Sequence, residues 1–142
     1  MFLHRDISEQ IRAISLHTPQ FTVYQHPARF KVVTAGRRWG KSVLSLVIAI
    51  EKAKRPYSKV WYIAPSYRMA KQIMWDVLQA SIPPRWIKKI NQTDMSIRLI
   101  NGSIIECKGA DDPDSLRGVG LYYVIMDEFQ DMKPDTWTKV QD

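Results

Sequence analysis

Cysteine is almost missing from this chain. Cys107 is the single thiol among 142 residues, so an internal disulfide cannot form and a cysteine-based metal site has no ligand set. What remains for it is the part of a small buried hydrophobe in a reducing cytosol. Histidine is scarce as well: His4, His17 and His26 are scattered without ligand spacing. Long hydrophobic runs are absent. The longest apolar stretch, Val43 to Ile50, is far too short to span a bilayer. The opening "MFLHRDISEQ" carries charge where a secretion signal needs an apolar run. Acids are in the minority, 14 against 21 Lys and Arg, which leaves a net charge of +7. That balance favours a polyanionic partner: nucleic acid first, then nucleotides or acidic membranes.

What is present is enough for one ordinary domain. The hydrophobic fraction of 45% supports a core, and the charged fraction of 25% is average for a soluble fold. No repeat or low-complexity tract occurs. Residues 6–16 read as a short amphipathic helix with Ile7, Ile11 and Ile14 on one face. "RFKVV", 29–33, reads as a strand, and "KSVLSLVIAIEKAK", 41–54, as a helix buried on most sides. "KVWYIA", 59–64, is an apolar strand. "SYRMAKQIMWDVLQA", 66–80, is a helix with Ser66 as N-cap and Met69, Ile73, Val77 and Leu78 facing inward. Pro83 and Pro84 end it, and "PPRWIKK", 83–89, is assigned to ordinary surface. "MSIRLI-NG-SIIECK", 95–108, is a hairpin around Asn101-Gly102, the pair best suited to a type I′ turn. "LYYVIM", 121–126, is a further apolar strand, and "DTWTKVQ", from Asp135, begins to look helical. Near-continuous apolar strands separated by helices predict a mostly parallel α/β sheet covered on both faces, with the hairpin as an insertion.

The most informative stretch is "AGRRWGKS", Ala35 to Ser42. It gathers three cations between a predicted strand and a predicted helix, the setting of a phosphate-binding P-loop (Walker A). Backbone N–H groups of such a loop and of the following helix N-terminus point at phosphates. Gly40 lets the backbone approach. Lys41 would reach β- and γ-phosphate oxygens, and the Ser42 hydroxyl would complete a Mg²⁺ shell. The first position departs from the usual pattern, with Ala35 in place of glycine and Gly36 following. Downstream, "YVIMDE", Tyr123 to Glu128, has the form of a Walker B segment. There Asp127 would hold Mg²⁺ through water, and Glu128 would polarise the attacking water. By itself that segment equally describes a buried strand capped by solvated acids.

Together "ARFKVVTAGRRWGKS", "VWYIAPSYRMAKQIMWDVL" and "DPDSLRGVGLYYVIMDEFQDM" closely resemble the large terminase subunit of tailed bacteriophages and prophages, from about Leu16 onward. The resemblance implies an additional-strand P-loop ATPase domain, ATP with Mg²⁺, and a motor that packages double-stranded DNA into a procapsid. It implies a ring of subunits on a portal protein, served by a small terminase subunit, in the cytoplasm of an infected or lysogenic bacterial host. It also implies a coupling motif and a nuclease domain, both expected beyond Asp142, so the chain reads as a C-terminally truncated ATPase part. Asp111, Asp112 and Asp114 are expected to be a solvated loop and not nuclease acids.

Residue by residue, the resemblance implies that Gln20 reads adenine, with Gln25 as a rival. It makes Arg37 the Walker A arginine acting in cis on the γ-phosphate. Arg38 is structural or contacts DNA. Arg117 is a finger reaching a neighbouring subunit's site, or else a loop-fixing partner of Asp112 or Asp114. Arg68 and Lys71 either meet DNA phosphates or belong to a solvated helix face. Trp39, beside the phosphates, stacks on another subunit or packs. A helicase-like translocase, and a remnant that binds nucleotide without turnover, are the alternative readings.

Overall fold

In the computed structural model, the described residues are 18–27, 31, 33, 40–111, 116, 120–133 and 135–141. The expected helix over 6–16 and most of the expected strand over 29–33 lie outside them. The first described element is helix α1, Thr18–Gln25. Helix α2, Lys41–Lys52, buries Leu44, Leu46, Val47, Ala49 and Ile50. Strand β1, Lys59–Ala64, follows, buried at every position after the first.

A long helical segment comes next, in three pieces: α3 Tyr67–Ala70, a π-helical turn Lys71–Trp75, and α4 Asp76–Ser81. Ser66 is its N-cap as expected, with extended backbone and its side chain accepting from Met69 N at 3.1 Å. Of the expected inward face, Leu78 is buried and Met69 and Ile73 pack against the core, but Val77 does not. Ala70, Met74, Trp75 and Leu78 are buried, whereas Val77 is 44% exposed. The cause is the π turn. Its wider turn offsets the helical face that follows, and Val77 is rotated outward.

The strands β2 Ile87–Asn91, β3 Ser96–Leu99, β4 Ile104–Gly109 and β5 Tyr123–Met126 join β1 in one sheet, ordered β2-β3-β4-β1-β5. β1 runs parallel to both β4 and β5, while β2/β3 and β3/β4 are antiparallel. Among the described residues the sheet is therefore mixed: β3 runs against its two neighbours, and the other four strands point the same way. The hairpin does not stand apart as an insertion. Its apolar Ile97, Leu99 and Ile105 enter the main core beside Val60 and Tyr62, so burial holds β3 and β4 in the plane of the sheet. In "PPRWIKK", Pro84, Arg85, Lys88 and Lys89 are exposed as expected, but the segment is not surface throughout. Trp86 is fully buried, and Ile87 opens β2. A register shift between Ile87 and Lys89 breaks the period-2 alternation that would have announced this strand.

The Asn101-Gly102 turn also departs from expectation. Type I′ needs positive φ at both central residues. Here Gly102 has φ +87, but Asn101 does not lie in the positive-φ region. Gly102 N donates to Leu99 O at 3.0 Å and Leu99 N to Ser103 O at 2.9 Å, so the loop is three residues long and ends on a left-handed glycine. Asn101 is used elsewhere. Its Nδ2 donates to Ala53 O (2.9 Å) and Lys54 O (3.2 Å), the free carbonyls past α2, and its Oδ1 accepts from Ser103 N at 3.0 Å.

β1 sorts its side chains by strand alternation. Val60, Tyr62 and Ala64 face a large core with Leu46, Ile50, Met74, Trp75 and Ile105. Trp61 and Ile63 face a smaller cluster with Ala110, Leu116 and Val140, the last from helix α5, Thr136–Gln141. Cover on both faces, expected from the apolar run, holds for this strand. Cys107 is buried as expected, and that burial pushes its thiol up to about 12.

Candidate functional site

α2 begins where the backbone turns left-handed. Gly40 has φ +87 and ψ 32, a conformation that disfavours any residue with a Cβ, and Lys41 is the first helical residue. Gly40 O accepts from Leu44 N at 3.1 Å, closing the first turn, and from Gln20 Nε2 at 2.8 Å. Gln20 is buried, whereas Gln25 lies exposed at the end of α1. Of the two candidate glutamines, Gln20 is thus the one tied to the loop. Lys41 is half-buried and Ser42 exposed. Ala35, Gly36, Arg37, Arg38 and Trp39, together with Arg117, Asp112 and Asp114, lie outside the described residues.

The other end of α2 sits at the start of the parallel strands. Ser58 Oγ, just before β1, donates to Lys52 O at 3.2 Å, and Lys52 Nζ lies 4.9 Å from the centre of the Tyr123 ring, at the start of β5. α2 packs along β1 and β5 through the shared core, so its first turn is carried toward the carboxyl ends of those strands. Ligands of open α/β sheets bind at that edge.

Asp127 and Glu128 follow β5 at the same edge. Asp127 N donates to Ile63 O at 2.9 Å, extending the β1–β5 ladder by one residue. Tyr123 and Ile125 pack into the α2-side core, so alternation puts Asp127 on the face that carries α2. Tyr62 pairs with Ile125 on that face, and its hydroxyl donates to Asp127 Oδ2 at 2.7 Å. Asp127 Oδ1 accepts from Glu128 N at 2.9 Å. Burial, then this hydrogen bond, pushes the Tyr62 phenol well above its ordinary range, so the hydroxyl stays protonated and remains a donor.

Glu128 breaks the pleat. Its φ of +52 is left-handed, a costly conformation for a residue with a Cβ and one that concentrates at functional sites. The turn frees its side chain from the far face of the sheet. Glu128 Oε2 accepts from Gln130 Nε2 at 2.5 Å, and Glu128 O accepts from Asp131 N in the 3₁₀ turn Phe129–Asp131. Neither Tyr62 nor Gln130 was singled out from sequence. Tyr62 could be found only through the β1–β5 register, because 65 residues separate it from Asp127.

The donor set suits a hard cation. A carboxylate held by one donor on each oxygen keeps lone pairs for a metal shell, and the Ser42 hydroxyl would be a second oxygen ligand. Among the described residues no group of three or more His, Cys, Asp or Glu is placed to bind a metal unaided. A Mg²⁺ here would depend on phosphate oxygens, as Mg²⁺ sites commonly do.

Arg68, in α3, and Lys71, in the π turn, are both exposed and start from the carboxyl end of β1. A cavity of about 560 Å³ opens near them, lined among others by Tyr67, Asp94, Glu106, Lys108 and Asp111. It includes none of Lys41, Ser42, Asp127 or Glu128. Its acids outnumber its one cation, so it is not a phosphate site. Asp111 is exposed, as expected of a solvated loop.

Comparison with known proteins bears directly on this geometry. The sequence profile of the phage terminase large subunit matches residues 27–142. The chain belongs to that family. Large terminase subunits of Thermus virus P23-45 and Thermus phage G20c are each 29% identical over 143 residues, covering 87% of this chain. The chain spans about 30% of the length of those relatives. The structure is similar to the large terminase ATPase domain of Thermus phage P74-26, with a TM-score of 0.78 and 26% identity. That match covers 89% of this chain and 59% of that one. A variant of the same domain matches at 25% identity with the same TM-score. This terminase chain therefore has the mixed α/β architecture of an ATPase domain of its family. Among the described residues no helix is long and apolar enough to cross a membrane.

Proposed function

We propose that this terminase chain forms the nucleotide site of a DNA-packaging ATPase with a P-loop fold. The observation that supports the reading is that two motifs both lie toward the carboxyl ends of β1 and β5. The left-handed Gly40 starts α2 with Lys41 and Ser42, and Asp127-Glu128 ends β5 on the α2 side. ATP is the substrate. Lys41 and the amides of the first α2 turn hold phosphate oxygens, with Ala35 to Trp39 completing the cradle. Ser42 and Asp127 would hold Mg²⁺, which would supply positive charge against the charge that develops on the phosphates. Gln20 fixes the end of the loop through Gly40 and lies on the adenine side. Arg37 acts in cis and Arg117 from a neighbouring subunit on the γ-phosphate.

Glu128 takes a proton from water as the water oxygen attacks the γ-phosphorus. The bond from that phosphorus to the β,γ-bridging oxygen breaks, releasing ADP and phosphate. The full-length protein couples this turnover to translocation of double-stranded DNA into a procapsid. It does so as a ring on the portal protein with the small terminase subunit, in the host cytoplasm. Arg68 and Lys71 contribute to the DNA path.

The test is binding of a fluorescent ATP analogue with Mg²⁺, measured beside turnover in the full chain. Lys41→Ala is expected to lose binding. Glu128→Ala is expected to bind normally and to lose about 10²–10⁴ in rate, the usual contribution of a positioned proton acceptor. Unchanged turnover in Glu128→Ala would remove it from the chemistry. Unchanged binding in Lys41→Ala would refute the nucleotide site itself.

A further inference from the structure

We infer that the Tyr62 hydroxyl is a positioning residue for the metal-binding carboxylate, acting through Asp127 and tuning Mg²⁺ affinity. This rests on the nucleotide-site reading above and goes beyond it, because no motif of that site contains Tyr62.

The tyrosine ring is fully buried in the main core, so packing alone would be served as well by phenylalanine. The oxygen is the part that packing does not explain. It sits at the sheet edge and donates to Asp127 Oδ2 at 2.7 Å, while Glu128 N donates to Oδ1 at 2.9 Å. An aspartate's terminal torsion is broad and roughly two-fold, so an unrestrained carboxylate samples many orientations. One donor on each oxygen removes that freedom and fixes which lone pairs face α2. Both donors are themselves fixed. Tyr62 lies in a strand whose pairing to β4 and β5 is regular, and the Glu128 N–H belongs to the backbone. Asp127 is only half-buried, so without Tyr62 water could satisfy Oδ2 but could not orient it. Partners behind metal-binding carboxylates typically contribute about 10–100-fold in metal affinity.

Tyr62→Phe tests this in the full chain, by titrating Mg²⁺ at fixed fluorescent ATP analogue and repeating the analogue titration in EDTA. The expected result is a Mg²⁺ midpoint raised by about 10-fold or more, with metal-free affinity unchanged. In an Asp127→Asn background the same substitution should add nothing. An unchanged midpoint overturns the inference, as does an equal further loss in the Asp127→Asn background. A fall in melting temperature of the same size in both backgrounds, without a midpoint shift, assigns the hydroxyl to stability alone and also overturns it. If the wild-type chain binds the analogue with no Mg²⁺ dependence, the metal-site reading itself fails and this inference fails with it. A Mg²⁺-dependent wild type with a silent Tyr62→Phe refutes only the role of Tyr62.

Discussion

Asn101 offers the sharpest test of how this fold is held. As a turn former in an Asn-Gly pair it would be replaceable by glycine, with equal or better stability. The structure assigns it another task. Its side chain makes three hydrogen bonds, two to the carbonyls of Ala53 and Lys54 and one from Ser103 N. They join the β3–β4 loop to the end of α2. Each such bond contributes about 0.5–1.5 kcal/mol net, and the 3.2 Å bond belongs at the low end. Asn101→Gly should therefore cost about 2–3 kcal/mol, since φ at 101 gives glycine no conformational advantage. For a chain of this length that corresponds to a fall in melting temperature of roughly 6–12 °C. Asn101→Asp should fall further. It keeps an acceptor for Ser103 N but loses both donors and sets a negative charge against two carbonyl oxygens. The assay is thermal and urea unfolding of the three proteins side by side. Asn101→Gly as stable as the wild type, or Asn101→Asp more stable than Asn101→Gly, would refute the tether.

The π turn makes a contrast between neighbours on one helix. Met74→Ala should cost about 2–5 kcal/mol as a buried large-to-small change. Val77→Ser should stay within about 0.5 kcal/mol as a surface change, and a cost for Val77→Ser comparable to that of Met74→Ala in unfolding experiments would refute the outward placement of Val77. Stability should also decline in alkali. The folded chain holds the Cys107 proton up to about 12, while the unfolded chain releases it near the ordinary 9.0. Between those values the unfolded state binds fewer protons, so unfolding becomes easier as pH rises, with no effect below about 9. Tyrosines held above their ordinary 10.0, Tyr24 up to about 12 among them, join the decline from pH 10 upward. Urea midpoints between pH 8 and 10 should therefore be flatter in Cys107→Ala than in the wild type. An equal slope in both would show that the thiol does not titrate differently on unfolding.

Local chemistry written into neighbouring residues was legible in the sequence. The run KVWYIA reads as a strand buried on both faces, because both of its alternating sets are apolar. Ser66 announced its cap. Gly40-Lys41-Ser42 and Asp127-Glu128 marked the two halves of the candidate site, and the family was legible in the three longer segments that resemble it. Tertiary structure decided what depends on partners distant in sequence. Sheet order and strand direction arise from which apolar faces share a core, so the hairpin lies in the sheet and Trp86 is buried beneath β2. The π turn leaves Val77 exposed where a 3.6-residue period places it inward beside Met69, Ile73 and Leu78. Asn101 and Tyr62 have the same explanation. A side-chain amide or hydroxyl does not reveal its partner, and only the packed sheet brings Asn101 to the end of α2 and Tyr62 to Asp127.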